Sequence, residues 1–253
     1  MYETLEIQVE GPVAHLWLNR ADRLNALSVH TLQELAAAAQ SLNALPDVRV
    51  VVVGGRGRAF CAGADLENFA GGDVAAGRAA AESGLAMAAA IEGLTAVSIA
   101  RIQGWCVGGG LVLAAACDLR VAADAARFSI PEVALGIPLA WGGIPRLVAE
   151  IGPARTKELV MTCREFDAAE ALQIGFLNTV CAEDDLDDAV ATLTGRLLEM
   201  PSYPVQATKR HVNAVSAGAA GLARSWSDAD SLLAGLNDPE CEAARQRYLA
   251  GRS

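Results

Sequence analysis

The chain has little that would suit it to a charged polymer or to an oxidising compartment. Of its 253 residues only 20 are Lys or Arg, against 30 Asp or Glu, and the formal net charge is -10. No basic stripe runs along it, which excludes a nucleic acid as main partner, because phosphate binding needs clustered cations. No apolar run approaches the ~18–20 residues of a membrane-spanning helix. The polybasic and lipidation signals of a membrane-surface protein are missing too. The six cysteines, at 61, 106, 117, 163, 181 and 241, include no Cys-x-x-Cys pair. In a chain of this size that favours reduced, buried thiols over a disulfide framework. The three histidines, His15, His30 and His211, lie far apart without metal-ligand spacing. Met1 to Glu6 lack the basic and apolar regions of a signal peptide. The expectation is a soluble, cytoplasmic protein with no metal, no membrane and no nucleic-acid partner.

What is present is a large apolar fraction, 53% of residues, enough for one sizeable core. Ile7 to Glu10 and Val13 to Leu18 read as strands joined by the turn signal Gly11-Pro12. Leu32, Leu35, Ala39 and Leu42 recur at helical spacing, which predicts an amphipathic helix over 28–44 with Ser28 as N-cap. Val48 to Val53 is almost wholly apolar, as a strand buried on both faces should be. Val97 to Ile102 and Leu119 to Ala122 repeat that character. Strands alternating with helices predict an α/β fold with a mostly parallel sheet. From Phe69 to Gly93 the chain is rich in Ala and Gly, and a loose stretch followed by a helix over 79–92 is expected. The last third reads as wholly helical, with Pro201 and Pro204 preceding a helix over 205–216. The composition shift divides the chain into 1–190, a core domain, and 191–253, a helical lobe. The acidic run Glu183 to Asp188 lacks the spacing and Gly of a calcium loop; acidic residues at a helix start complement its dipole.

Two glycine-bearing stretches stand out. One is Arg58-Ala59-Phe60-Cys61-Ala62-Gly63-Ala64-Asp65-Leu66, the other Gly104-Trp105-Cys106-Val107-Gly108-Gly109-Gly110-Leu111. Each leads from an apolar strand into a helix-like run. Such junctions leave backbone N–H groups without carbonyl partners, able to face an anion. Two of them aimed at one point would form an oxyanion hole. A dinucleotide fingerprint on Gly55 and Gly57 fails because Phe60 stands where the last glycine should be, and no phosphate-binding Gly-Lys-Ser/Thr loop occurs. Glu132, in Ile130-Pro131-Glu132-Val133, is a lone carboxylate among apolar residues. Burial raises a carboxyl pKa, which suits a general acid/base near neutral pH.

Taken in order, these pieces resemble the crotonase, or enoyl-CoA hydratase/isomerase, superfamily over most of the chain, from about Glu6 to Val215. The resemblance rests on Asn19-Arg20 with Leu24-Asn25-Ala26-Leu27, on Phe60 to Leu66, and on Gly104 with Gly108-Gly109-Gly110. It continues through Cys117-Asp118-Leu119-Arg120, Pro131-Glu132 with Leu135-Gly136, Gly142-Gly143 with Arg146-Leu147, and Ala207-Thr208-Lys209. It implies a spiral of ββα units with a helical C-terminal trimerisation region, hence a homotrimer or dimer of trimers. It implies an acyl-CoA substrate and no separate cofactor. The N–H groups of Ala64 and Gly109 would hold the thioester oxygen, and Glu132 would move protons. Arg23, Leu24, Ala26, Ala62, Asp65 and Leu66 would line the CoA groove; Gly108, Val112, Pro131, Ala140 and Trp141 would lie around the acyl group. Ala21 departs from the family's usual proline after Asn-Arg.

Family hydratases place a second glutamate three residues after the oxyanion glycine, and here that position is Val112. Dienoyl-CoA isomerases add an Asp eight residues after the first glutamate, and here that is Ala140. Enoyl-CoA isomerases that shift one double bond keep a single glutamate, as this chain does. Enoyl-CoA isomerisation by Glu132 is therefore the leading expectation. A hydratase with an incomplete glutamate pair and a non-catalytic acyl-CoA binder stay open. So does a Cys106-dependent α/β-hydrolase, since Gly104-Trp105-Cys106-Val107-Gly108 fits a nucleophile elbow and His211 is the one downstream histidine.

Overall fold

The computed structural model describes residues 2–65, 74–220 and 228–251, apart from the side chains of 74–76 and 219–220. The chain opens with the expected hairpin, β1 (Leu5–Glu10) and β2 (Val13–Leu18), turning at Gly11. Helix α1 (Val29–Asn43) follows, and Ser28 caps it by accepting from the Thr31 N–H, a bond worth about 1 kcal/mol. Next come β3 (Val50–Gly55), α2 (Val74–Glu92) and β4 (Val97–Ile102). After β4 the chain steps into a second sheet through β5 (Trp105–Val107) and then into α3 (Gly109–Ala116). It repeats the step from β6 (Leu119–Ala123) to β7 (Arg127–Ser129).

Two sheets result. The larger has order β1-β2-β3-β4-β6-β9, with β9 at Thr179–Cys181, and is parallel beyond the opening hairpin. The smaller joins β5, β7 and β8 (Phe166–Asp167). Along β3 successive side chains face opposite sides, as the pleat requires. Val51 and Val53 enter the main core with α1, α2 and α3, while Val50 and Val52 enter a second cluster with Leu186 and Val190. The apolar run predicted for a strand covered on both faces thus has two covers.

Helix α4 (Gly143–Thr162) is interrupted at Gly152-Pro153 and leads through β8 to α5 (Ala168–Gln173). Helices α6 (Leu186–Glu199), α7 (Ser202–Ala220), α8 (Asp228–Asn237) and α9 (Pro239–Ala250) complete the chain. The acidic run forms a 3-10 turn at Glu183–Asp185 and the first turn of α6, where Asp187 pairs with Arg101.

Several expectations shift. The last third is not wholly helical, because β9 extends the main sheet beside β6; three residues are too few to display a strand's alternation. The division at residue 190 falls inside α6, whose Leu186 and Val190 belong to the second core cluster. Helix α7 begins at Ser202 and takes Pro204 into its first turn, where a missing N–H costs nothing. Helix α2 begins at Val74, earlier than residue 79; the expected loose stretch at 69–73 lies outside the described residues. Among the described residues no helix is long and apolar enough to cross a membrane, and no cluster of His, Cys, Asp or Glu could hold a metal ion.

Candidate active site

The first glycine stretch is held by a neighbouring loop. Leu24 and Asn25 both adopt left-handed backbone, at φ 50° and 57°. The buried Asn25 side chain secures that turn: Oδ1 accepts from the Arg20 N–H at 3.0 Å, and Nδ2 donates to the Arg56 and Ala59 carbonyls, each at 2.9 Å. The loop then pairs with 62–65. Ala62 N–H donates to Leu24 O, Leu27 N–H to Gly63 O, and Asp65 N–H to Leu27 O, at 2.8–3.0 Å. Between these paired amides the Ala64 N–H finds no acceptor among the described residues. Arg20 fixes both sides, donating to Ala26 O and pairing with Asp65 Oδ2 at 2.9 Å.

The second stretch is placed by the small sheet. Val107 on β5 pairs with Ser129 on β7, and Gly108 N–H donates to Ser129 O at 2.9 Å. This register sets Gly108-Gly109 beside Pro131-Glu132. Gly109 is the first residue of α3, so its N–H has no intrahelical partner and sits at the positive end of the dipole. Gly108, at φ 50°, touches the carboxylate: a Cβ there would lie 2.4 Å from Glu132 Oε1.

Ala64, Gly109, Val112, Glu132, Ala140 and Trp141, all expected site residues, line one cavity of about 30 Å³. The Glu132 Oε2 is sealed from solvent and has no hydrogen-bond partner among the described residues. Burial pushes the Glu132 pKa up to about 7, against a smaller lowering by its own backbone. A group balanced between its charged and neutral forms near neutral pH can both take and return a proton. The buried Val112 side chain lies against Gly143 and offers no second acid. Trp141, at φ 61°, lays its ring over Gly109 and Gly84, where a Cβ would come within 2.2 Å of it. Arg146 holds this corner by donating to Trp141 O and Gly142 O and by pairing with Glu92.

Arg23, Leu24, Ala26, Ala62 and Asp65 stand on the loop platform beside the cavity, outside its described lining. Asp65 is buried and engaged with Arg20, a structural task beyond the expected one. Pro131 is buried next to Glu132. Leu66 lies outside the described residues. Sequence reasoning missed four lining residues, Ile137, Pro138, Leu139 and Leu232. The first three adjoin the Pro131-Glu132 motif and could have been included with it. Leu232 comes from α8, and no local signal connects it to the site.

The Cys106 alternative loses its basis. Cys106 is fully buried and its thiol pKa is raised well above the usual value by burial and by the neighbouring Cys61 and Cys117. A nucleophilic cysteine needs the opposite. His211 lies exposed on α7.

Comparison with known proteins gives one consistent result. The family model described as Enoyl-CoA hydratase/isomerase matches residues 8–252. A crotonyl-CoA hydratase of Syntrophomonas wolfei is 34% identical over 84% of this chain and 82% of its own length. A peroxisomal Delta(3,5)-Delta(2,4)-dienoyl-CoA isomerase of Arabidopsis thaliana is 37% identical over 76% of this chain and 75% of its own. A Thermobifida fusca protein solved in complex with acetoacetyl-CoA superposes with a TM-score of 0.77 at 32% identity, covering 98% of this chain and 94% of the other.

Proposed function

We propose a reaction for this chain from one premise: it belongs to the enoyl-CoA hydratase/isomerase family, with the crotonase fold. The reaction is the shift of a double bond from C3 to C2 of an enoyl-CoA, with Glu132 as the single proton carrier. The thioester oxygen sits between the Ala64 and Gly109 N–H groups. Glu132 removes a proton from C2, and the electron pair spreads through the carbonyl onto that oxygen as a dienolate. The same carboxyl then delivers the proton to C4, the electrons return, and the double bond ends between C2 and C3. Atoms and charge balance with no water consumed.

The observation that carries this reading is the pairing of the Glu132 carboxyl, whose Oε2 is sealed and without a hydrogen-bond partner among the described residues, with an apolar Val112 where a second carboxylate would hold water. Stabilising the oxygen fits the two unpaired amides, each donor being worth roughly 3 kcal/mol in comparable sites. The hydratase name of several relatives favours water addition as the rival reading.

Incubation with a 3-enoyl-CoA and, separately, a 2-enoyl-CoA separates the two, read by mass and NMR. Conversion of the 3-enoyl to the 2-enoyl ester at unchanged mass is the expected result. A product heavier by one water from the 2-enoyl ester, without isomerisation, would overturn it in favour of the hydratase. Binding without conversion would leave an acyl-CoA-binding protein. The CoA part would run along the 23–26 and 62–65 platform, and light scattering should show a trimer or dimer of trimers.

A further inference from the structure

The cavity has one wall of a different origin from the rest. Leu232 belongs to α8, about ninety residues beyond the other described lining positions. Its placement follows from Gly235, three residues on and therefore on the same helix face. A Cβ at Gly235 would lie 2.9 Å from Gly136 O and 3.5 Å from Ile137 Cα, so only glycine lets α8 settle directly on 136–138. Further contacts hold it there. Asp228 Oδ2 accepts from the Gly142 N–H at 2.8 Å, and Arg245 on α9 donates to Leu135 O and Gly235 O. The neighbouring Leu233 points elsewhere, toward Gly77 on α2.

We propose that Leu232 sets the acyl-chain length accepted at this site and restricts it to short-chain acyl-CoA esters. The inference rests on the reading that this cavity takes the acyl part of a CoA ester. An acyl group whose carbonyl meets the Ala64 and Gly109 amides, with C2 beside Glu132, extends along the space these residues line. That space is about 30 Å³, which leaves no room for a long acyl chain unless a wall gives way. Gly109 and Val112 are locked in α3, and Trp141 is wedged between two helices. Leu232 is an aliphatic side chain reaching in from a separately anchored helix. Cutting it to Ala removes three carbons and makes room for about three methylenes.

The test measures the Kd of saturated esters, which bind without reacting, for butyryl-, octanoyl- and dodecanoyl-CoA against bare CoA. The intact protein should prefer butyryl-CoA. Leu232→Ala should shift the octanoyl-to-butyryl affinity ratio toward the longer ester by about tenfold or more. Leu233→Ala, which removes comparable packing from the same helix, should lower the Tm and leave that ratio in place. If Leu232→Ala does not fold, Leu232→Val carries the same test with a shift of about fourfold. An unshifted ratio in a folded Leu232 variant, or an intact protein that prefers dodecanoyl-CoA, would overturn the assignment while leaving the acyl-CoA reading intact. Failure of the intact protein to bind any of the esters would instead overturn the acyl-CoA reading and this proposal together.

Discussion

Around Ala64 the backbone is fixed by bonds converging from three segments, and around Gly109 by a strand pair and a helix start. Across the cavity, α8 presents one leucine and is held by a carboxylate, a glycine contact and two bonds from Arg245. The first side is built from short-range turns whose unusual backbone angles demand particular residues. The second is a helix placed by surface fit and a few polar contacts between segments distant in sequence. Positions near the reacting atoms should therefore respond steeply to substitution, and positions on α8 gradually.

Glu132→Gln should show the steep side most strongly. Turnover should fall by roughly a hundredfold to ten-thousandfold, with acyl-CoA affinity retained, as kinetics and a binding titration would report. Unchanged turnover would remove Glu132 from the mechanism. The same residue fixes a pH dependence. Acting first as a base, it must be ionised, so kcat/KM should rise with pH through about 7. Stability should move the other way. A carboxyl whose folded pKa lies above its ordinary 4.5 favours the folded state when protonated. That contribution is complete below pH 4.5 and is lost as pH climbs through 7. The Tm of Glu132→Gln should therefore gain on the intact protein between those limits and stay ahead above them.

Gly108→Ala probes the same side without replacing a reacting group. The new Cβ would sit in left-handed backbone and 2.4 Å from Glu132 Oε1. Strain of about 1–3 kcal/mol and a displaced carboxylate should together lower kcat by roughly a hundredfold. A variant with normal kcat and a lowered Tm would mean that the carboxylate tolerates displacement, which would weaken the contrast between the two sides.

That contrast also explains what could be read from the chain. β1 to β4, α1 with its Ser28 cap, and the two glycine turns were legible because each shows a period or a turn residue within a few positions. Ala64, Gly109, Glu132, Val112, Ala140 and Trp141 were reached because each sits in or beside a quotable motif, and all six line the cavity. β5, β7, β8 and β9, at two or three residues each, are too short for alternation to register. Arg20 could be seen in a motif, but its partner Asp65 is 45 positions away. Leu232 had no signal, since one leucine on a helix names no neighbour until the helix is docked.

Asp228 offers the mildest test of the gradual side. Its carboxylate accepts from Gly142 N–H, beside the Trp141 wall, and it is half-buried. Asp228→Ala leaves that amide without its acceptor, a loss of about 1–2 kcal/mol, or several degrees in Tm at this chain length. Because the bond joins the start of α8 to the corner that carries Trp141, KM for an acyl-CoA should rise severalfold while kcat moves less. Asp228→Asn keeps a side-chain oxygen at the same place and should restore most of both. A purely structural bond would move the Tm alone, and the Asn variant would then recover stability with no KM change to recover. A large fall in kcat from Asp228→Ala would instead place α8 on the steep side, as a part of the catalytic frame.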